Sequence, residues 1–400
     1  MKGKDIVIIG LQPWYYEIGS NCKNIALQLS KQNRVLYVNL PINRKTYYAK
    51  EKNKGIQRHC EIIRTKGENI FPIKENMWEF YPPTIVESIN FLPSTALFSA
   101  VNYFNNRSFA KDLRNAISRL GFRDIILFND NDIFNGYFLK ELLSPTLYVY
   151  YMRDFLQGFD YWKKHTTQLE PLLIKKADLV ATNSIFYRDY CKEYNPDSYY
   201  IGQGCNLEVF DAARTGPIPE DVANLPAPLV GYVGAIESIR LDIGLLESLA
   251  LARPGWSIVM VGPEDEKFKQ SRLHQLPNVY FLGRKPMNVL PDYINAFTVC
   301  INPQQKNNVT EGNYPLKIDE YLAIGKPVVA TRTPTMELFA DYTWLADKPE
   351  DYIPLIEKAL ADTSPSAITD RISFARTHSW ENSVNELYQA MEKKLRAASF

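Results

Sequence analysis

The sequence predicts an α/β protein built on parallel sheets and divided into two domains of similar size. Three observations carry this expectation. Short apolar runs rich in β-branched residues alternate with longer segments of helical period, the pattern of parallel sheets covered by helices. The alternation occurs twice, on either side of a Pro- and Ala-rich break, "FDAARTGPIPEDVANLPAP", at residues 210–228. The chain has 400 residues, more than a single core usually serves.

In the first half the expected strands are residues 5–10, 34–39, 61–64, 124–129, 147–151 and 179–182. Between the first two, "SNCKNIALQLSK" offers a Ser20 cap and places Ile25 and Leu29 at helical spacing. Residues 82–120 read as mostly helical, with prolines near helix starts. In the second half the expected strands are 229–233, 257–261, 279–282, 298–301 and 328–330, with helices between them. Each half opens on a strand that ends in glycine, at Gly10 and Gly234. Ligands of open parallel sheets bind beyond the carboxyl ends of strands. Two such edges facing each other would form a cleft with a ligand on either lip.

Composition narrows the function classes. The formal net charge is +1, so no global field argues for nucleic acid. The five cysteines are scattered, with no CxxC or Cys/His cluster, so neither a disulfide framework nor a zinc site is expected. The apolar run after "MKGKD" is too short for a signal peptide, and no stretch approaches a membrane span. A cytoplasmic location is expected. "NDNDIF" holds Asp130 and Asp132 as a metal-chelating DxD or, the reading preferred here, as a strand-end turn. The N-x-S/T sequences at Asn106 and Asn308 carry no meaning without secretion. Between Arg44 and Lys66 eight Lys/Arg face two Glu, interleaved with Tyr47 and Tyr48. That stretch suits a contact with anionic headgroups at the inner membrane face, or a solvated loop.

Five stretches carry a family resemblance: "LVGYVGAIESIRLDIGLLESLALARPGWSIVMVGPE", "LPNVYFLGRKPMNVLPDYINAFTVCINP", "EGNYPLKIDEYLAIGKPVVAT", and upstream "KKADLVATNS" with "GQGCNLEVF". Their order and spacing resemble the bacterial glycosyltransferases of family 4 (group 1), especially the branch serving capsule, teichuronic-acid and O-antigen assembly. The resemblance implies a GT-B fold of two Rossmann-like domains. It implies an acceptor-side domain at 1–208, a nucleotide-sugar donor domain at 209–380, and a last helix, 381–400, that crosses back onto the first domain.

What the resemblance implies for residues starts from Glu311 and Glu320, as the acids that hold the donor sugar and the ribose. Glu320 stands five residues before Gly325, as the family's second acid does. Glu311 departs from the pattern, being nine residues upstream of Glu320 rather than eight. Asp319 then reads as an exposed helix position. Carboxylates suit sugar hydroxyls because each oxygen accepts charge-assisted hydrogen bonds. The loop Gly312, Asn313, Tyr314 and Leu316 leads into a helix whose N-terminus suits a diphosphate. Lys317 lies in its first turn, against the helix dipole, which favours a ligand role over a solvated lysine. Arg240, after the Gly234 turn, would meet charge on the leaving diphosphate, and an exposed helix-opening arginine is the plain alternative. Arg284 in "GRKP" would border the nucleobase.

On the acceptor side Gly19 and Ser20 occupy the place of a glycine-rich turn. Trp14 and Tyr15 suit stacking on a sugar face or plain core packing. Arg153 and Asp154 follow a strand end that supplies polar groups in relatives. No histidine is adjacent, and the four histidines are too dispersed for a triad or metal site. The reading is therefore a glycosyltransferase that takes a UDP- or GDP-linked sugar to a hydroxyl of a surface glycan or lipid-linked glycan. No metal, no other cofactor and no nucleic acid are expected, and the stereochemical course expected from relatives is retention. The competing readings are an inactive relative acting as a scaffold and a nucleotide-sugar epimerase. A dehydrogenase is disfavoured because neither first turn has G-x-G-x-x-G.

Overall fold

The computed structural model describes residues 1–16, 19–214 and 216–397. The chain folds as two compact units: Met1–Gly202 together with the tail from Ser383 onward, and Gln203–Asn382. The Pro- and Ala-rich segment 210–228 thus lies inside the second unit, where it forms the short turns Ala212–Arg214 and Glu220–Ala223.

The first unit holds an eight-stranded sheet in the order Ser198–Tyr200, Leu179–Thr182, Leu147–Met152, Ile126–Asp130, Asp5–Gly10, Arg34–Asn39, Met77–Phe80, Ile70–Lys74. All pairs are parallel except the last. Asp5–Gly10 and Leu147–Met152 are buried along their whole length, as strands covered by helices on both faces must be. The strand order reverses at Asp5–Gly10, which pairs with Arg34–Asn39 on one side and Ile126–Asp130 on the other. The tail joins this unit through polar contacts. Asn33 Nδ2 donates to the Tyr388 hydroxyl (2.8 Å), and the N-terminal ammonium meets Glu392 at 2.8 Å.

The second unit holds a parallel six-stranded sheet in the order Val279–Gly283, Ser257–Val261, Leu229–Val233, Val299–Asn302, Val328–Thr331, Trp344–Ala346. Its switch point lies between Leu229–Val233 and Val299–Asn302. Close packing leaves no room at Gly231, where an added Cβ would lie 2.1 Å from the Phe297 ring. Val233, Val261, Tyr314, Ile318 and Tyr321 share one core layer, and Tyr232, Leu245, Met260 and Tyr352 share the other.

Two expectations fail. Residues 61–64 are not a strand but the end of the helix Lys54–Thr65, capped by the Asn53 side chain. Ile62 and Ile63 suggest a strand by type, yet His59 and Ile62 are buried at helical spacing. Residues 82–120 are helical only over Thr95–Arg119, which begins right after Pro93 at the Ser94 cap. Six strands escaped notice: Ile70–Lys74 and Met77–Phe80, which flank Asn76 at φ 60°, Ser198–Tyr200, Trp344–Ala346, and the two-residue pair Ile42–Asn43 and Ile85–Val86. They are short, and the first contains Pro72.

Candidate functional site

In the second unit the site residues converge where Leu229–Val233 ends. The backbone there turns sharply: Gly234 has φ 144° and Gly262 φ 153°. A Cβ on Gly262 would lie 1.8 Å from the Gly234 carbonyl oxygen, so the two strand ends pass too close for any side chain. The loop that follows is pinned from several directions. Ile236 N donates to the Pro263 carbonyl (2.8 Å), and Ser238 donates through both N and Oγ to Asp265 Oδ2 (2.7 Å each). This fixed loop carries Arg240, whose Nε lies 3.3 Å from Glu237.

Opposite it runs the helix Leu316–Ala323, which starts immediately after Pro315. Its Tyr321 hydroxyl clamps the last strand residue, accepting from Val233 N (2.8 Å) and donating to the Val233 carbonyl (3.2 Å). The clamp brings Lys317 alongside: its Cε stands 3.0 Å from where a Gly234 Cβ would sit, and its Nζ 5.1 Å from the Tyr232 ring centroid. Among the described residues neither the Lys317 ammonium nor the Glu320 carboxylate makes a hydrogen bond or ion pair. Burial, followed by the charge of Arg240, lowers the Lys317 pKa to about 8. Burial raises that of Glu320 to about 7 against the pull of Lys317. Two cations crowd each other here without an acid bonded to Lys317, and a carboxylate three residues on has open acceptor positions. Such a set suits a diphosphate beside a pair of hydroxyls.

Glu311 ends the turn that starts at Asn307. Its N–H donates to the Asn307 carbonyl (3.0 Å) and its own carbonyl accepts from Thr335 Oγ1 (3.0 Å). Its carboxylate has no hydrogen bond or ion pair among the described residues. Gly312 and Tyr314 are buried, and Asn313 and Leu316 half-buried. Arg284 is exposed in the loop after Val279–Gly283, where its neighbour Lys285 pairs with Asp221 (2.6 Å).

Asp319 is a correction. It is fully buried, not exposed: the Tyr314 hydroxyl donates to its Oδ2 (2.7 Å), and His378 Nδ1 lies 2.7 Å from its Oδ1. Burial raises its pKa against the pull of His378. Helical geometry turns residue 319 away from the face of 317 and 320. The Tyr314–Asp319–His378 cluster was invisible in the sequence, because 59 residues separate Asp319 from His378.

In the first unit the polar groups also gather at strand ends, but they are saturated. Arg153 Nε lies 2.7 Å from Asp130 Oδ1, and Arg153 also binds Asp154. Asn131 Oδ1 accepts from the backbone N–H of both Arg153 (2.8 Å) and Asp154 (2.9 Å). Asp132 Oδ1 accepts from Phe134 N and Asn135 N at 2.8 Å, so "NDND" is a strand-end turn. Ser20 caps the helix Asn21–Leu29 by accepting from Lys23 N (3.3 Å), and Gly19 is exposed before it. Trp14 packs edge-on against Tyr37 with centroids 5.1 Å apart, and Tyr15 stacks on Tyr81 at 6.0 Å, so both rings are engaged in packing.

Comparison with known proteins identifies a domain and a fold. Residues 227–362 match the family described as glycosyl transferases group 1. TuaH of Bacillus subtilis (strain 168), which carries the name of a teichuronic acid biosynthesis glycosyltransferase, is 27% identical over 234 residues. That match covers 55% of this chain and 58% of TuaH. Among solved structures, sucrose-phosphate synthase from Thermosynechococcus elongatus aligns with a TM-score of 0.66 at 16% identity, over 99% of this chain and all of that one. Anabaena Alr3699/HepE in complex with UDP aligns at 0.65 and 14% identity, over 98% of this chain and 100% of that one. An α,α-trehalose-phosphate synthase (UDP-forming) from Burkholderia vietnamiensis aligns at 0.69 and 11% identity, over 100% and 99%. Residues 227–362 therefore form a group 1 glycosyltransferase domain, within a chain that has the GT-B fold.

Proposed function

We propose that the chain transfers a sugar from a nucleotide-sugar donor to a hydroxyl of a bacterial surface glycan or its lipid-linked precursor. The observation that carries this reading is the pair Lys317 and Glu320, both without a bonded partner among the described residues, beside Arg240 at the Gly234 strand end. In this reading Glu320 accepts hydrogen bonds from the donor ribose. Lys317 and Arg240 hold the diphosphate at the opening of Leu316–Ala323. Glu311 and the backbone of 312–316 face the sugar, and Arg284 borders the base. A uridine donor is favoured, because the HepE and trehalose-phosphate synthase neighbours are described with UDP.

During transfer the bond between the anomeric carbon and the β-phosphate oxygen breaks, and the acceptor oxygen bonds to that carbon. Negative charge grows on the leaving diphosphate, where two fixed cations stabilise it without a metal ion. Asp154 and Arg153 stand on the acceptor side. The acceptor hydroxyl proton passes to the departing phosphate as the glycosidic bond forms, the course that goes with retention of configuration.

A donor panel tests the reading. The expected result is that one UDP-sugar raises the melting temperature and is slowly hydrolysed to UDP. Glu320→Ala should weaken its binding by roughly tenfold to a hundredfold, as loss of hydrogen bonds to a charged group does. If no UDP-, GDP- or dTDP-sugar binds or turns over, the reading is wrong.

A further inference from the structure

Among the described residues the four aromatic side chains that are more than half exposed all lie in the first unit: Phe91 (75%), Tyr48 (70%), Phe104 (64%) and Tyr161 (60%). They sit on neighbouring segments. Lys45 N donates to Ser88 Oγ (3.4 Å), which places the helix Arg44–Tyr48 beside the segment leading to Phe91. Lys164 Nζ donates to the Phe91 carbonyl (2.9 Å), and Asn90 Nδ2 to the Tyr161 carbonyl (2.5 Å). The Asn105 side chain accepts from Glu87 N (2.9 Å), which lays the helix Thr95–Arg119 against the same segment. On that helix Ala96, Leu97, Ala100 and Phe104 form an exposed apolar stripe at helical spacing.

Charge completes the pattern. No Asp, Glu, Lys or Arg occurs from Ser88 to Asn106. The border is mainly basic, with Lys45, Arg107, Lys111, Lys163 and Lys164 exposed around it. Of the nearby acids, Glu87 is neutralised by Arg44, and Asp160 opens a helix whose dipole favours it. Glu51 is exposed, three residues after the helix Arg44–Tyr48. An exposed apolar patch of this kind marks an interaction site. Aromatic tips and an apolar stripe ringed by Lys and Arg suit the boundary of an anionic bilayer, where rings enter the acyl edge and cations meet headgroups.

We propose that this face, centred on Phe91 and Phe104, docks the chain on an anionic lipid surface. The contact is thus shifted away from the basic stretch 44–66 as a whole. The helix Lys54–Thr65 within that stretch turns His59 and Ile62 inward, and apart from Tyr48 the apolar part of the patch lies elsewhere. The proposal does not need the transferase reading, and its test uses no donor sugar.

The test is sedimentation of the full chain with vesicles of phosphatidylcholine alone and of a phosphatidylcholine–phosphatidylglycerol mixture. The chain should pellet with the mixed vesicles and not with the neutral ones. Phe91→Ser with Phe104→Ser should lower that affinity at least about tenfold, with melting temperature unchanged because both rings are exposed. Lys45→Glu with Lys163→Glu should weaken binding and flatten its salt dependence. Absence of binding to mixed vesicles overturns the proposal, as does binding that ignores the Phe91/Phe104 change. So does a solution dimer that this change converts to monomer while vesicle binding persists, since a second copy would then be the occupant.

Discussion

The strand-end clusters of the two units hold the same kinds of residue in opposite states. In the first unit Arg153 is closed between Asp130 and Asp154, and the flanking backbone is tied to Asn131. In the second, Lys317 and Glu320 are three residues apart on one helix, and neither has a bonded partner among the described residues. In the proposed function, the difference separates charge that builds the fold from charge held for a ligand. A buried ion pair satisfies itself, and removing one partner strands the other. A cation held near another cation at a cost in pKa recovers that cost only when an anion arrives.

The largest expected effect tests the closed cluster. Arg153→Ala leaves buried Asp130 uncompensated and should cost about 3–5 kcal/mol of stability, seen as a lower urea midpoint. If the midpoint does not move, Arg153 is not structural, and the contrast between the units collapses. Lys317→Met tests the open cluster. It should cut kcat/KM for the donor by about a hundredfold to a thousandfold, the usual loss when a charge-stabilising group is removed, without lowering the melting temperature.

The same lysine makes a pH prediction. With a free-protein pKa lowered to about 8, it is largely neutral above that pH. Bound diphosphate should restore its proton. Calorimetry above pH 8 in buffers of different ionisation enthalpy should therefore show proton uptake on UDP binding, absent in Lys317→Met. Affinity should fall as pH rises through this range. For stability the sign is opposite. Where the unfolded chain keeps a proton that the folded lysine has lost, stability increases with pH, from about 8 to the ordinary lysine range.

A smaller effect is expected at Asp319→Ala, which removes the carboxylate that holds both the Tyr314 hydroxyl and His378, themselves 3.3 Å apart. The loss should be about 1–3 kcal/mol of stability, with donor binding weakened because Tyr314 lies in the loop at 312–316. Unchanged donor affinity would show that the cluster serves packing alone.

Much of the architecture was legible because strand identity depends on local composition. Val, Ile and Leu runs such as "DIVIIG" and "SIVMVG" are buried on both faces in any parallel sheet, so their neighbours need not be known. The short edge strands were not legible, since Ile70–Lys74 and Trp344–Ala346 gain their place from pairing rather than from pattern. Residues 61–64 misled because β-branched type and helical spacing disagreed, and spacing prevailed. At the candidate site, Gly234, Lys317 and Glu320 could be read as candidates from order along the chain. Their electrostatic state could not.

What the sequence by itself determined is the periodic core, the strand-end glycines and the motif that marks residues 227–362 as a group 1 domain. Tertiary structure alone decided which charges are paired. Asp319 and Glu320 are adjacent in the chain, yet one is enclosed by Tyr314 and His378 and the other is left open. Helical geometry turns neighbouring residues to different faces, and only packing says what waits on each.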